Sequence, residues 1–361
     1  MIKKTFLIAF VFVLFAGCSN KLSLLAPYKE MVSVYGLLDQ DDPIHYIRIE
    51  RVFQGEGNAY TFAQNPDSIY FKPGDLTVKL ERWRNGYQIP VDGTNHALNS
   101  TNAEIILKDT LITAATGIFN TNELAYKTTN SLYADDSTAV YKLVIHNNKT
   151  GKDFSAQTGL IGSFQLLTQT QNLNYLARNY QSTFKMNFVP GSGGQVSCIY
   201  NSPANSGVCS LDIQLIYTDI NSGVQKNADI GLGTFYPIST TPSLGGARED
   251  FTYTGTSLLS SIAATIPVDN TTTRTLSYVQ FVLSAGGVDV ALYNQANTST
   301  SLSQSKTSYT NVNGGVGIFS SRHKIILRRD VSDIALDTLS ANAQTCKLRF
   351  NNSSGHTSAC Q

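Results

Sequence analysis

The stretch "EMVSVYGLLDQDDPIHYIRIERVF", from Glu30 to Phe53, decides the fold class of this chain. In its first part, successive side chains would point to opposite faces of an extended chain. One face would carry Met31, Ser33, Tyr35 and Leu37, and the other Val32, Val34 and Leu38. The break "DQDDP" is followed by a second run, in which apolar residues recur among polar ones: Ile44, Tyr46 and Ile49 among His45, Arg48 and Glu50. Alternation with period two is typical of a half-buried strand, so two such runs around an Asp/Pro break predict a β-hairpin.

The same pattern recurs up to about residue 162. The segment "DLTVKLERW" (75–83) alternates, and Asn85-Gly86 follows it as a tight turn of the kind that joins hairpin strands. A second hairpin is predicted from 141–148 and 152–160, around Lys149-Thr150-Gly151. Short strands at regular spacing with turn signals between them predict an immunoglobulin-like β-sandwich for residues 28–162.

Residues 163–361 are predicted to form a second β-rich domain, a sandwich or a barrel-like structure with short helices. The predicted strands are "TFKMNFVP" (183–190), "SLDIQLIYTDI" (210–220), "LSYVQFVLSA" (276–285) and "KIILRR" (324–329). In the glycine-rich loop "NVNGGVGIF", glycines are expected to supply positive φ angles or to let another backbone approach closely.

Three short helices are predicted among these strands. One covers 59–64, with Asn58 as its cap and Pro66 as its end, and the others cover 257–266 and 288–297.

The first residues read as an export signal. Lys3 and Lys4 precede an apolar run that is shorter than the roughly 20 residues a membrane span needs. The run ends in "LFAGCSNK", where small Ala16 and Gly17 precede Cys18 as in a bacterial lipobox, although Phe15 departs from the usual aliphatic residue. We therefore expect a signal peptide at 1–17, lipid on Cys18 and a tether at 18–27. The alternative is an ordinary signal peptide with a chance cysteine.

Ser19, Asn20 and Lys21 carry no acidic retention or surface-export signal, so the expected location is the outer membrane, with the leaflet left open. The whole chain has 27 Lys and Arg against 26 Asp and Glu. Loss of Lys3 and Lys4 would leave a mature charge of about −1, which gives no electrostatic basis for binding nucleic acid.

Four cysteines follow Cys18. We predict the local disulfides Cys198–Cys209 and Cys346–Cys360, because an oxidising envelope permits them, while free buried thiols are the alternative. Their spacings do not fit a zinc site.

Three segments carry a family resemblance: Tyr35 to Asp39, Tyr46 to Ile49 and Asn311 to Phe319. With their surroundings, they resemble an uncharacterised family of Bacteroidota lipoproteins, a domain of unknown function whose genes often lie near TonB-dependent outer-membrane receptors. The resemblance implies an envelope location, a β-sandwich core and a receptor or other envelope protein as partner. It brings no catalytic residues, because the family has none established.

No motif in the sequence predicts a reaction or a cofactor. The histidines form no HExxH or HxH pattern, and the serines form no GxSxG elbow. Asp39, Asp41 and Asp42 could offer oxygen ligands to calcium, but acids that cap turn amides explain this cluster equally well.

Trp83, Tyr87 and Tyr60 are candidates for an aromatic platform that stacks on sugars, although packing in the core is the default interpretation of aromatic residues.

From the export signal, the family resemblance and the lack of a catalytic motif, we expect a non-enzymatic, lipid-anchored accessory or structural partner of an outer-membrane system such as a TonB-dependent receptor. The alternative is a surface glycan-binding lipoprotein, and an enzyme of unfamiliar type comes third.

Overall fold

The computed structural model describes residues 30–52, 66–91, 104–113, 122–166, 185–191, 194–237, 241–298 and 309–360. Within these ranges the chain is mainly β with sandwich-like layers, as predicted, and of the two alternatives left open for the second domain no closed barrel is present there. The strands are β1 (Val32–Leu38), β2 (His45–Arg51), β3 (Leu76–Arg84), β4 (Tyr87–Ile89), β5 (Glu104–Ile106), β6 (Lys108–Thr113), β7 (Asn122–Thr128), β8 (Val140–Asn147), β9 (Asp153–Gly159), β10 (Gln165–Leu166), β11 (Gln195–Asn201), β12 (Ser206–Asp219), β13 (Val224–Phe235), β14 (Arg248–Thr254), β15 (Arg274–Gly287) and β16 (Val316–Arg329). The helices are α1 (Pro66–Ile69), α2 (Gly255–Thr265), α3 (Val288–Thr298) and α4 (Asp333–Ala341), with single 3₁₀ turns at Pro242–Leu244 and Cys346–Leu348.

The predicted first hairpin is confirmed. β1 and β2 pair antiparallel, with Val34 opposite Ile49 and Gly36 opposite Ile47. Val32, Val34 and Leu38 are buried, whereas Tyr35 on the opposite face is exposed. The alternation in the sequence therefore decides which face of the hairpin enters the core.

One long strand joins the two ends of the chain in an eight-stranded sheet, whose order is β13-β12-β15-β16-β1-β2-β7-β6. The first part of β16, up to Ser321, pairs with β1 in parallel. From Arg322 onward, β16 pairs with β15 instead, in antiparallel register. Strand β16 therefore belongs to both halves of the sheet. The long half consists of β12, β13 and β15, and the short half consists of β1, β2, β6 and β7.

Gly317 makes the β1–β16 pairing possible. Its φ is +102°, and a Cβ there would lie 2.1 Å from the carbonyl oxygen of Val34. Gly314, with a φ of +79°, lies in the same loop. The expectation that this loop needs positive φ and close backbone approach is confirmed.

A second sheet covers the short half. Its order is β4-β3-β8-β9, and β5 pairs with β3 on the same edge as β4. Alternate residues of β3 and β8, such as Val78, Leu80 and Leu143, pack with Val34 and Ile49 in one core. Both predicted hairpins, at Asn85-Gly86 and at Lys149 to Gly151, are present here.

A separate core lies against the long half. Its buried residues come from β12 and β15, from the small sheet β10-β11-β14, and from α2 and α4. Leu160 belongs to the first core and Ile161 to the second, while Val312 and Phe319 return to the first. The domain boundary near Gly162 stays a prediction.

Some predicted elements differ from the structure. In the described part of 183–190, only Met186 makes a β-bridge, with Val331, so the predicted strand there is wrong. Its apolar residues are instead buried in the second core as an irregular segment: Met186, Phe188 and Val189. The predicted helix over 59–64 lies outside the described residues. No helix in the described ranges is both long and apolar enough to span a membrane.

Candidate functional site

The three aspartates after β1 form a tight turn around Asp39. The Asp41 amide donates to Asp39 Oδ1 at 3.2 Å, and the Asp42 amide donates to the Asp39 carbonyl oxygen at 3.3 Å. Part of the cluster is therefore turn-capping chemistry, which was one of the two sequence interpretations.

His323 from β16 faces this turn. Its Nδ1 lies 3.4 Å from Asp39 Oδ1 and 3.5 Å from Asp41 Oδ2. One donor atom from each of the three side chains lies within 4.8 Å of the other two. His323 and Asp39 are buried, whereas the Asp41 side chain is 69% exposed. The cluster is therefore buried at His323 and Asp39 and open to solvent at Asp41.

The exchange of partners by β16 positions this cluster. β1 ends at Leu38, opposite Ser321, and the aspartate turn then passes the next residues of β16. His323 falls two residues after that point, where β16 already pairs with β15. The ring of Phe164 stacks on the imidazole with centroids 6.1 Å apart, which holds the ring plane.

Arg322 supplies the positive charge beside the turn. Its Nη2 lies 2.8 Å from Asp42 Oδ2, and its Nε lies 4.0 Å from Asp39 Oδ2. Burial raises the pKa of Asp39, but its polar contact with His323, the hydrogen bond from the Asp41 amide and the positive charge of Arg322 outweigh burial and lower that pKa overall. Asp39 is therefore held as a carboxylate.

His45 is a second buried histidine beside the turn. It is 2% exposed, and neither ring nitrogen makes a hydrogen bond of normal distance and angle. A backbone group of Asn130 lies near the imidazole and, as a minor effect, raises the pKa of His45. Burial lowers the pKa of His45, although the carboxylates of Asp42 and Asp39 oppose that shift.

A surface cavity of about 420 Å³ adjoins His45 and Arg322. Its remaining lining comes mainly from the outward face of the short half of the large sheet, and includes Tyr35, Leu37, Ile44, Tyr46, Arg48 and Ile112. Tyr35 and Tyr46 are half exposed, and Tyr35 lies directly across from Arg48 in the β1–β2 register.

The predicted aromatic platform is not assembled by the described residues. In the β3–β4 register, Trp83 lies opposite Gln88, and Tyr87 lies opposite Arg84. Cross-strand partners share a face, and successive residues alternate, so Trp83 and Tyr87 lie on opposite faces of the sheet. Tyr60 lies outside the described residues.

Trp83 instead shares its face with a polar groove of about 570 Å³. The groove lies over β3, β8 and β9 and is lined by Thr77, Lys79, Glu104, Lys142, Val144, His146, Asp153, Phe154, Ser155 and Asn313. The Lys142 ammonium lies 5.3 Å from the centre of the Trp83 ring, and the indole nitrogen donates to Glu81 at 2.8 Å.

The cysteines divide into one bonded pair and two free thiols. Cys346 and Cys360 form a disulfide, which is one of the two predicted local pairs. The other pairing, Cys198–Cys209, is wrong: both thiols are free and buried. Cys198 lies on β11 and Cys209 on β12, strands that belong to different sheets. Burial raises the pKa of Cys198 to about 12 and that of Cys209 to about 11.

Neither a protein-family model nor a curated protein matches the chain. The resemblance to envelope lipoproteins therefore stays a prediction from the three quoted segments, and Cys18 with residues 1–29 lies outside the described residues.

Sequence reasoning missed His323 and His45 as members of the site. His323 is 284 residues from Asp39 along the chain, and no spacing in the sequence relates them. His45 carried a usable signal, because a histidine at an inward position of a strand must find a partner in the core or remain without one.

Proposed function

We propose that this chain is a lipid-anchored protein of the outer membrane that acts by binding, as an accessory or structural partner of an envelope system such as a TonB-dependent receptor. The observation that carries the proposal is "LFAGCSNK", in which a charged start and a short apolar run lead to Ala16, Gly17 and Cys18. Diacyl or triacyl lipid on Cys18 would hold the protein firmly, since two or more chains give stable anchoring.

The outward face of the short half supports a protein as the bound partner. Tyr35, Tyr46 and Arg48 lie side by side there, and aromatic residues and arginine are the side chains most enriched where proteins meet. A cavity next to them offers a pocket for an anchoring side chain of the partner.

The first test is incorporation of a labelled fatty acid in cells that make the wild-type chain or Cys18→Ala. The proposal expects label and outer-membrane sedimentation only when Cys18 is present. An unlabelled wild-type chain would overturn the lipid anchor.

The second test is cross-linked affinity capture with wild type, Tyr46→Ala and Tyr87→Ala. Both tyrosines are exposed, but Tyr87 lies on the other sheet, so it is the matched control. We expect an outer-membrane receptor to be enriched by wild type and by Tyr87→Ala, and lost with Tyr46→Ala. Equal capture by all three would place the contact elsewhere.

A second candidate function is glycan binding in the polar groove beside Trp83. The groove has charged and amide side chains close together, as sugar hydroxyls require, and one aromatic ring on the same face. A glycan array with wild type, Trp83→Ala and Tyr87→Ala tests it. Binding lost only with Trp83→Ala supports this function, and an array without hits removes it.

A further inference from the structure

We propose that Asp39, Asp41 and His323 bind one divalent transition-metal ion, with zinc as the representative ion. This inference goes beyond the proposed function and does not depend on it. It makes the aspartate turn a metal site at the point where β16 passes from β1 to β15.

The distances in the cluster fit metal ligands better than hydrogen-bond partners. His323 Nδ1 lies 3.4 and 3.5 Å from oxygens of Asp39 and Asp41. Normal N–H···O bonds are shorter, about 2.7–3.2 Å. Donors at about 2.0–2.1 Å from a tetrahedral zinc ion lie about 3.4 Å from one another. Two of the three donor separations thus match this spacing, and all three donor atoms lie within 4.8 Å of one another.

The donor set selects the class of metal. Calcium takes six to eight oxygen ligands, and an imidazole nitrogen does not suit it. Imidazole with carboxylates suits zinc and its first-row neighbours. The buried histidine thus changes the sequence-based suggestion of calcium at Asp39, Asp41 and Asp42 into one of a transition metal.

The local charge also fits a divalent ion. Asp39, Asp41 and Asp42 bring three negative charges, and Arg322, in contact with Asp42, brings one positive charge. The net charge of the turn is therefore about −2 with neutral imidazoles. A bound divalent cation would bring this partly buried group of charges to neutrality.

His45 is a second buried histidine near the charges of the turn. A buried imidazole without a proper hydrogen bond is costly, and buried polar groups in folded proteins are almost always satisfied. The carboxylates of Asp42 and Asp39 are the charges that act most strongly on this ring. The open side at Asp41 leaves a coordination position free for water.

The test is titration of the chelator-treated full-length chain in detergent with zinc alone, by calorimetry, and with cobalt, by its visible absorption. We expect one site. His323→Ala and Asp41→Asn should each weaken binding by more than the roughly 10- to 100-fold that loss of an outer-shell partner causes. His146→Ala, which removes an exposed histidine of the other sheet, should leave binding unchanged.

Asp41→Asn guards against misfolding, because Asp41 is mostly exposed and its loss cannot empty the core. The proposal is overturned if the wild-type chain binds neither ion, if Asp41→Asn and His323→Ala bind like wild type, or if calcium alone binds and His323→Ala retains it.

Discussion

The two halves of the eight-stranded sheet are built differently. In one half, β12, β13 and β15 have 14, 12 and 14 residues, and in the other β1, β2 and β7 have seven each. Helix α3 packs on the outward face of the long half, where Gly286 contacts Val290. The outward face of the short half instead presents half-exposed tyrosines and a cavity.

The two halves also differ in what lies around them. Strands β12 and β15 of the long half pair along their whole length, the second core covers one face of this half, and α3 packs on part of the other face. The short half depends on β16 for one of its strands, and it carries the aspartate turn, His45 and the exposed tyrosines. The exposed tyrosines and the cavity therefore lie where the strands of the sheet are shortest.

The largest expected effect comes from Gly317→Val, which disrupts the parallel β1–β16 pairing that joins the two halves and is called the seam below. Its Cβ would meet the Val34 carbonyl oxygen at 2.1 Å, at a φ of +102°. We expect a loss of more than about 4 kcal/mol in the free energy of unfolding, measured by urea denaturation. Gly223→Ala is the control, because its φ is +65° with open space around it, and it should cost only about 1 kcal/mol. Equal losses would mean that the seam is not sterically tight.

The next effect compares an ion pair between two buried side chains with one in which buried Asp75 contacts exposed basic side chains. In the long half, Arg274 Nε lies 3.2 Å from Asp219 Oδ1, and both side chains are buried. Asp219→Asn should cost about 3 kcal/mol, because it leaves a buried guanidinium without its counter-charge. In the first core, Asp75 contacts Arg51 and Lys149, whose side chains are substantially exposed.

Asp75→Asn should therefore cost no more than about 1 kcal/mol in the same urea experiment. A larger loss from Asp75→Asn than from Asp219→Asn would reverse the proposed ranking of the two regions.

The pH dependence of stability sharpens the same comparison. Burial raises the pKa of Asp75, but its contacts with Lys149, the Lys72 amide and Arg51 outweigh burial and lower the pKa below the ordinary 3.8. Asp75 therefore stabilises the fold above pH 3.8, and this contribution is lost as the pH falls through the lowered value. Melting curves of wild type and Asp75→Asn should differ at neutral pH and converge in acid. Parallel curves would contradict the role of Asp75.

The smallest effect concerns thiol protection in the long half and its core. Cys198 and Cys209 are buried, and burial raises their pKa values to about 12 and about 11. We expect alkylation at pH 8 to be slow in the folded chain and fast in denaturant, because the thiolate is the reactive form. Mass spectrometry of Cys18→Ala after labelling measures both. Rapid labelling of folded protein would show that this core opens easily.

The sequence predicts the strands of this fold better than its site. β1, β3, β8 and β9 alternate because one face of each is buried and the other is wet, and that pattern is local. The separation of Trp83 from Tyr87 was also readable, since a two-residue turn at Asn85-Gly86 places Arg84 opposite Tyr87. The contact of His323 with Asp39 was not, because it depends on which distant strand pairs with β1.

The free cysteines show the same limit. A short turn after Asn201 joins β11 to β12, and a hairpin would have brought Cys198 and Cys209 close together. Instead, β11 pairs with β10 and β14, and β12 pairs with β13 and β15. Nothing in the residues between two strands states whether the chain stays in one sheet or crosses to another.

The position of β1 between β2 and β16 also has a mechanical consequence. A pull on the chain before Val32 acts along β1, whose register joins six of its residues to β16 and five to β2. The hydrogen bonds of both ladders run across the strand, so such a force loads them together in shear instead of opening them one at a time. A tether at the N-terminus that pulled along β1 would thus be resisted by both ladders at once.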